Sequence, residues 1–227
     1  MAAGGPGRTP DRPRAGPARA PPRIRRHART NGERDDDMLT LGTLLKNKRA
    51  GETHLAWHHP NLSGPDTLDL RSADFPHGHA IPAVHTGPRA GGRNLSPALA
   101  WTGTPQGAAQ LLLVVEDPDA PTSRPFVHCL ALISPARREL AAGALNADTA
   151  AEGVRVLRSG MGRGYLGPQP PKGHGEHRYA FQLFALRTAV ISVPGRPDLE
   201  ASRPRDVLDA VGGPALARGR LDGVYSR

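Results

Sequence analysis

A glycine-containing loop leads directly into a predicted β-strand at residues 173–186, with the sequence GHGEHRYAFQLFAL. From residue 178 the stretch alternates large apolar side chains with smaller or polar ones, a pattern typical of strands. His177 and Tyr179 are two residues apart, so a strand places both side chains on one face. The junction therefore presents an imidazole and a phenol together at one end of a strand.

A similar junction occurs earlier in the chain. Residues 110–116 hold a continuous apolar run, which predicts a strand covered on both faces, and lead into EDPDAP at residues 116–121. Residues 127–133 predict the next strand, with His128 and Cys129 on opposite faces. Together the two junctions supply a carboxylate, histidines and a tyrosine, but no evident nucleophile. This set of groups favours binding of a small anion over breaking of a bond.

Composition limits the class of protein. At 227 residues the chain is predicted to hold one domain plus tails. The net charge of +9 is spread along the sequence, aromatic residues make up only 4%, and no nucleic-acid-binding motif is present, so we expect no nucleic-acid partner. One cysteine suits a reducing compartment, and no apolar run is long enough to span a bilayer. We therefore expect a cytoplasmic protein that does not span a membrane.

The N-terminal part differs in composition from the rest. Residues 1–37 are predicted to be a disordered extension rich in Arg, Pro and Gly. Met38 is an alternative start of the protein, and a basic tail for an acidic surface is the other interpretation. Residues 38–60 are predicted to form a short amphipathic helix, over residues 38–50, and a linker. The main domain is expected over residues 61–227.

Short apolar runs separated by Pro and Gly predict a mostly β domain. Besides the strands above, residues 67–70 and 190–193 predict short strands, and residues 205–211 predict a helix. Residues 160–175 predict a long irregular loop. Loops of this length inside a compact domain usually line a binding site.

Other patterns give weaker signals. Six of the ten histidines lie between His54 and His85, and His54 and His58 have helical spacing, but the glutamate of a His-Glu-x-x-His zinc motif is absent. No Gly-x-Ser-x-Gly elbow, dinucleotide fingerprint or P-loop occurs. We predict no metal, no cofactor and no catalytic residue, and the role of the histidine-rich stretch stays open.

Taken together, the motifs resemble those of the phosphatidylethanolamine-binding protein family, also called the Raf kinase inhibitor-like proteins. The matching stretches are DPDAP (117–121), FVH (126–128) and GxGxHRY (173–179), supported by NLSP (94–97) and PPKG (170–173). They cover about residues 66–190 and stand in the order expected of the family. The short connection between Asp117 and His128 resembles the compact bacterial branch.

The resemblance implies both a fold and a site. The fold is a β-sandwich with a large antiparallel sheet, a smaller sheet and a few peripheral helices. The site is a small anion pocket at one end of the sandwich. The residues that would bind the ligand are Asp117, Phe126, His128, Gly167, Pro170, Pro171, His177 and Tyr179.

These residue types suit distinct roles in such a pocket. His128, His177 and Tyr179 can donate hydrogen bonds to phosphate oxygens, together with amides of the loop at residues 167–171. Asp117 would orient a histidine and favour its charged form.

A structural ion pair is also expected between the two motifs. Asp119 and Arg178 carry opposite charges and belong to different motifs. Their pairing would hold the motifs together.

Three functions are weighed on these grounds. The first is a binding protein for phosphate-bearing headgroups, resembling phosphatidylethanolamine, or for other small anions. The second is a protein-interaction regulator, inhibiting a kinase or a protease, without an essential ligand. The third is a hydrolase that uses His128 as a general base. A protein partner and a homodimer are both compatible with the sequence.

Overall fold

The structure, a computed structural model, describes residues 1, 5, 42–148 and 150–227. The predicted N-terminal extension and the alternative start at Met38 therefore lie outside the described residues, apart from residues 1 and 5. The part that is described contains both sequence motifs and all the residues predicted to line the pocket.

Nine strands are present in the described part of the chain. They are β1 (Asp69–Arg71), β2 (His79–Ala80), β3 (Leu99–Thr102), β4 (Gln110–Asp117), β5 (Phe126–Ile133), β6 (Glu139–Leu140), β7 (Val154–Val156), β8 (His177–Leu186) and β9 (Ala217–Tyr225). Six of them form a sheet in the order β2-β9-β8-β4-β5-β7, and three form a second sheet in the order β1-β3-β6. All neighbours pair antiparallel except β2, which runs parallel to β9. The prediction of a mostly β protein with a large and a small sheet is confirmed.

Two hydrophobic clusters cover the two faces of the large sheet. On one face, Leu113 and Phe181 of the large sheet pack with Leu70 and Trp101 of the small sheet. On the other face, a second cluster joins residues of β4, β5 and β8 to the 3₁₀ turns and the helix that cover them. The central strands are therefore buried on both sides, which explains why apolar side chains occupy both faces of β4, β5 and β8.

Helical structure is peripheral. Helix α1 spans Pro204–Asp209, and five 3₁₀ turns span Glu52–His54, Ala56–His58, Pro60–Leu62, Ala83–His85 and Pro88–Ala90 in the described residues. Helix α1 ends two residues before the predicted end of the helix at residues 205–211. None of the described helices is both long and apolar enough to cross a bilayer.

Two predicted elements are wrong in part or in full. The helix predicted over residues 38–50 is helical only up to Leu44 in its described part. Beyond it, the N–H of Gly51 donates to the carbonyl of Pro118 at 2.8 Å, so bonds to the β4–β5 loop replace helical ones. Residues 190–193 form no strand. Val190 and Val193 are instead buried in the second cluster, whereas Ile191 is exposed.

Strand β9 was not predicted, and its inward-facing residues explain why. Its pattern of burial alternates, but two of the inward positions are Gly219 and Gly223. A Cβ at Gly219 would lie 2.2 Å from the carbonyl oxygen of Leu68, and one at Gly223 would lie 2.5 Å from Ile81. Close approach of neighbouring chain thus excludes the large apolar side chains that usually reveal a strand.

Candidate functional site

A cleft of about 500 Å³ lies where β4 ends and where β5 and β8 begin. The structure brings together at its wall all eight residues that were predicted to bind a ligand, namely Asp117, Phe126, His128, Gly167, Pro170, Pro171, His177 and Tyr179. The strand ends supply the polar side chains, and the long loop at residues 160–175 supplies much of the opposite wall. That these residues bind a ligand remains a prediction.

His128 is placed at the cleft by a β-bulge. In the pairing of β4 with β5, Val127 and Cys129 lie opposite consecutive residues of β4, so His128 between them has no partner. The extra residue turns the His128 ring to the side on which Cys129 packs, where it meets the ring of Tyr179 at 5.0 Å. The prediction that His128 and Cys129 face opposite ways is therefore wrong, because a bulge interrupts the two-residue period of a strand.

A chain of buried hydrogen bonds leads away from the cleft floor. Oδ2 of Asp117 lies 2.7 Å from Nδ1 of His177, and Nε2 of His177 lies 2.6 Å from Nδ1 of His174. Nε2 of His174 is within reach of the carbonyl oxygens of Leu45 and Lys48, at 2.8 and 3.2 Å. These hydrogen bonds thus connect the cleft to the segment at residues 45–48.

The hydrogens of this chain can be assigned from its far end. Because carbonyl oxygens only accept, Nε2 of His174 donates to Leu45. In a neutral His174, Nδ1 then accepts from Nε2 of His177. Nδ1 of His177 and the carboxyl of Asp117 share one proton, so the pair carries no net charge whichever group holds it. Both ring nitrogens of His177 therefore have hydrogen-bond partners. For His177 to donate to a ligand, as predicted, its hydrogen bond to His174 would have to break.

The ring of His128 is held differently. Its Nδ1 lies 2.6 Å from the carbonyl oxygen of Leu166 and donates to it. Burial lowers the pKa of His128 below 6.5, although the charge of Asp117 and the bond to Leu166 oppose this. A neutral ring with its proton on Nδ1 leaves Nε2 as a hydrogen-bond acceptor. This nitrogen has no hydrogen-bond partner among residues 42–148 and 150–227.

The lowered pKa of His128 predicts a loss of stability in mild acid. His128 of the unfolded chain takes up a proton near pH 6.5, whereas in the folded chain it does so only at lower pH. The contribution of neutral His128 to the free energy of unfolding is therefore fully present above pH 6.5 and is lost as the pH falls below it. Urea unfolding from pH 8 to pH 5 should show a steeper loss for the wild type than for His128→Gln, by at most about 1.4 kcal/mol per pH unit. Equal slopes for the two proteins would refute the assignment.

Tyr179 contributes a phenol in an unusual state. Its side chain is 1% exposed, and its hydroxyl has no hydrogen-bond partner within the described part of the chain. Burial, together with the nearby charge of Asp117, raises the pKa of Tyr179 well above 10, so the hydroxyl keeps its proton. Buried polar groups in native proteins usually have partners. This hydroxyl is therefore a free donor at the cleft.

The loop at residues 165–171 offers fewer donors than predicted. The N–H of Gly167 donates to Oδ1 of Asn94 at 2.7 Å, and Pro170 and Pro171 have no N–H. Asn94, with a positive φ of 55°, also donates from Nδ2 to the carbonyl of Tyr165 at 3.0 Å. Asn94 thus fastens the loop that holds His128, and the expectation of amide donors at Gly167 is not met in this structure.

An ionic cluster joins the two motifs beside the cleft. Arg178 donates from Nε and from a terminal nitrogen to the two carboxylate oxygens of Asp119, at 2.9 and 3.1 Å, and also pairs with Glu52. Arg49 lies 2.9 Å from the same carboxylate of Asp119. Burial alone would raise the pKa of Asp119, but its hydrogen bonds with Arg178 and Arg49 hold it below the usual value.

The histidine-rich stretch does not converge on one point. Nε2 of His59 contacts Asp209 at 3.0 Å, Nδ1 of His85 contacts the carbonyl of Leu95 at 2.9 Å, and Nδ1 of His77 accepts from a backbone N–H of β9 at 3.2 Å. Within the described ranges, no group of three or more His, Cys, Asp or Glu side chains could hold a metal ion.

A sequence model of the phosphatidylethanolamine-binding proteins matches residues 71–226. The chain belongs to this family. The resemblance inferred from the motifs is thereby confirmed, and the match extends beyond it to include β9.

Individual relatives agree with the assignment to the phosphatidylethanolamine-binding protein family. A UPF0098 protein of Aquifex aeolicus (strain VF5) is 32% identical over 166 residues, which are 73% of this chain and 92% of that protein. A candidate lipoprotein, LppC, of Mycobacterium tuberculosis (strain ATCC 25618 / H37Rv) is 36% identical over 159 residues, covering 70% and 74% of the two chains. The crystal structure of E. coli YbcL, a member of the mammalian PEBP family, has a TM-score of 0.62 at 28% identity, covering 71% of this chain and 99% of that chain.

Three residues of the site in this phosphatidylethanolamine-binding protein family member were not predicted. His174 is completely buried, and its place inside the GxGxHRY motif was the available signal. Arg89 and Arg227 line the cleft and form no ion pair with an acid of the described residues. Both arginines are distant in sequence from the two motifs, so only the folded chain brings them to the site.

Proposed function

We propose that this protein binds small phosphate-bearing ligands, such as a phosphatidylethanolamine-like headgroup, or other small anions in the cleft. The observation that carries the proposal is the buried hydroxyl of Tyr179, which lacks a partner among the described residues. An unsatisfied buried donor costs about 1–3 kcal/mol, and an acceptor oxygen of a ligand would remove that cost.

The charge of the cleft supports an anionic ligand. The pair of Asp117 and His177 is neutral as a whole, and burial keeps His128 neutral. The other charged side chains of the lining, within the part of the chain that the structure describes, are Arg89 and Arg227, both positive. Since few charge-assisted hydrogen bonds are available, we expect dissociation constants in the millimolar to micromolar range.

Replacing Tyr179 by phenylalanine separates binding from stability. Tyr179→Phe removes an unsatisfied hydroxyl, so the free energy of unfolding should stay equal or rise by about 1 kcal/mol. The dissociation constant for phosphorylethanolamine or inorganic phosphate should rise about tenfold, because a donor to the ligand is lost. NMR titration measures the second quantity and urea unfolding the first.

Tyr165→Phe is the matched control. Tyr165 is also buried, at 4% exposed, but its hydroxyl donates to the carbonyl oxygen of His85 at 3.2 Å. Its loss should lower the free energy of unfolding by about 1 kcal/mol and leave ligand binding nearly unchanged. If Tyr179→Phe bound phosphate as tightly as the wild type, or if no ligand bound at tens of millimolar, the proposal would fail.

We further propose that the protein acts by binding and not by catalysis. Among the described residues that line the cleft, Thr122 supplies the one aliphatic hydroxyl, and it donates to the carbonyl of Arg124 at 2.6 Å instead of to a base. Turnover of a phosphate ester that disappears in His128→Ala would contradict this.

The cytoplasm is our proposed location, since the single cysteine, Cys129, is free and cannot form a disulfide within the chain, which suits a reducing compartment. The mycobacterial relative is named as a candidate lipoprotein. Fractionation of cells tests the location.

A further inference from the structure

The cleft floor presents one fixed acceptor next to one fixed donor. The acceptor is Nε2 of His128, because Nδ1 carries the proton that is donated to Leu166 at 2.6 Å. The donor is the hydroxyl of Tyr179, whose ring meets that of His128 at 5.0 Å and which has no partner in the part of the chain that is described. A ligand that satisfies both must itself offer one hydrogen-bond donor and one acceptor.

The orientation of His128 is enforced by its surroundings. The N–H of Leu166 donates to the carbonyl of His128 at 2.8 Å, so backbone and ring of the two residues are bonded to each other. The next residue, Gly167, is bonded to Asn94 at 2.7 Å. Rotating the ring to place Nδ1 in the cleft would therefore break the bond to Leu166 without offering a replacement.

We infer that the cleft selects ligands whose phosphate carries a hydroxyl, that is, phosphomonoesters and inorganic phosphate, over sulfate and sulfate esters. This inference rests on the proposed function. A phosphomonoester has its second pKa near 6, so it readily carries one P–OH group, which donates to Nε2 of His128, and bare oxygens, which accept from Tyr179. A sulfate ester has no hydroxyl at neutral pH and leaves Nε2 unsatisfied.

The walls of the cleft favour an ester over free phosphate. Phe126, Met161 and Leu166 line it, and Met161 is 68% exposed. A volume of about 500 Å³ also exceeds what a single phosphate group fills. The organic part of a monoester would contact these apolar side chains.

Proton uptake is a consequence of this selectivity. Above pH 6 a free monoester is mostly a dianion, so it must gain one proton to bind, and that proton forms the P–OH group that donates to Nε2 of His128. The titratable and charged groups around His128 are Asp117 of β4, His177 and Tyr179 of β8, and the cleft arginines Arg89 and Arg227. Affinity for the monoester should therefore fall up to about tenfold per pH unit above pH 7.

The test compares phenyl phosphate, phenyl sulfate and inorganic phosphate on the full chain by calorimetry and NMR. At pH 6.5 phenyl phosphate should bind at least about tenfold more tightly than phenyl sulfate, and more tightly than inorganic phosphate. Titrations at pH 8 in buffers of different ionisation enthalpy should show uptake of close to one proton per phenyl phosphate bound. Nitrogen chemical shifts should show Nδ1 of His128 protonated in the free protein.

Variants sharpen the comparison. His128→Gln places an amide that can donate near the position of Nε2, so the preference for phosphate over sulfate should shrink to less than about threefold. His85→Gln is the control, because Nδ1 of His85 also contacts a carbonyl, at 2.9 Å, but its Nε2 faces Asp74 and not the cleft. It should keep the wild-type preference.

The outcomes separate this inference from the proposed function. Equal affinity for phenyl phosphate and phenyl sulfate would overturn the inference while leaving anion binding intact. Absence of binding by every probe would overturn both. The proton count and the nitrogen shifts are measured on the wild type, so the inference stays falsifiable even if His128→Gln does not fold.

Discussion

Replacing Asp117 by alanine should cost about 2–4 kcal/mol of unfolding free energy and weaken phosphate binding at least tenfold. The carboxylate has two neighbours that present nitrogen. Its Oδ1 accepts from the N–H of Asp119 at 2.8 Å, and its Oδ2 contacts Nδ1 of His177 at 2.7 Å. Alanine has no polar side-chain atom, so the N–H of Asp119 and Nδ1 of His177 both lose their partner. His177 is then no longer fixed in the buried chain.

Urea unfolding at pH 7 and NMR titration with inorganic phosphate measure the two effects. Asp209→Ala is the matched control, because Asp209 also contacts a histidine, His59, at 3.0 Å, but its side chain is 73% exposed. Exposed pairs contribute little, so this variant should stay within about 0.5 kcal/mol of the wild type. If Asp117→Ala were equally mild, the buried chain would not organise the site.

Replacing Gly167 by alanine should lower the free energy of unfolding by about 2–3 kcal/mol and abolish measurable phosphate binding. A Cβ at Gly167 would lie 2.4 Å from the carbonyl oxygen of His85, 2.5 Å from the carbonyl carbon of Thr86 and 2.6 Å from the nitrogen of Gly87. All three atoms belong to the backbone and cannot rotate away. The loop must therefore move, and with it the carbonyl of Leu166 that orients His128.

Gly212→Ala serves as the control for this substitution. A Cβ at Gly212 would meet only the side chain of Thr188, at an ordinary 3.9 Å. The variant should remain within about 0.5 kcal/mol of the wild type and bind phosphate normally. Nitrogen chemical shifts of His128 in Gly167→Ala would reveal loss of the bond to Leu166. Retention of both the bond and the affinity would show that the loop adapts to the methyl group.

The parts of the fold that sequence predicts are those where burial selects large apolar side chains. Strands β4, β5 and β8 are buried on both faces, and their apolar runs gave bounds within one residue of those observed. Strand β9 was missed because Gly219 and Gly223 stand where larger side chains have no room. The helix predicted to reach residue 50 fails for a different reason, since hydrogen bonds to a distant loop outweigh local helix propensity.

For the candidate site, too, the sequence predicted one part and missed another. The two motifs located Asp117, His128, His177 and Tyr179, because polar side chains at strand ends stand out against an apolar run. Their individual states depend on neighbours that are far away in sequence. The carbonyl of Leu166 fixes the proton of His128 on Nδ1. The carbonyl of Leu45 fixes the proton of His174 on Nε2, so Nδ1 of His174 accepts from His177. Only the folded structure supplies those partners.

The bulge at His128 divides β5 into two parts in which the alternation of side chains is offset by one residue. On the N-terminal side, the even-numbered residues Phe126 and His128 face the cleft, and on the other side the odd-numbered Cys129, Ala131 and Ile133 face the same way. Deletion of one residue at the bulge would restore a regular two-residue alternation along the whole strand. The same loss further along the strand would turn every following side chain to the wrong face. An evolving or redesigned chain therefore has one place inside this core strand where its length can change by one residue.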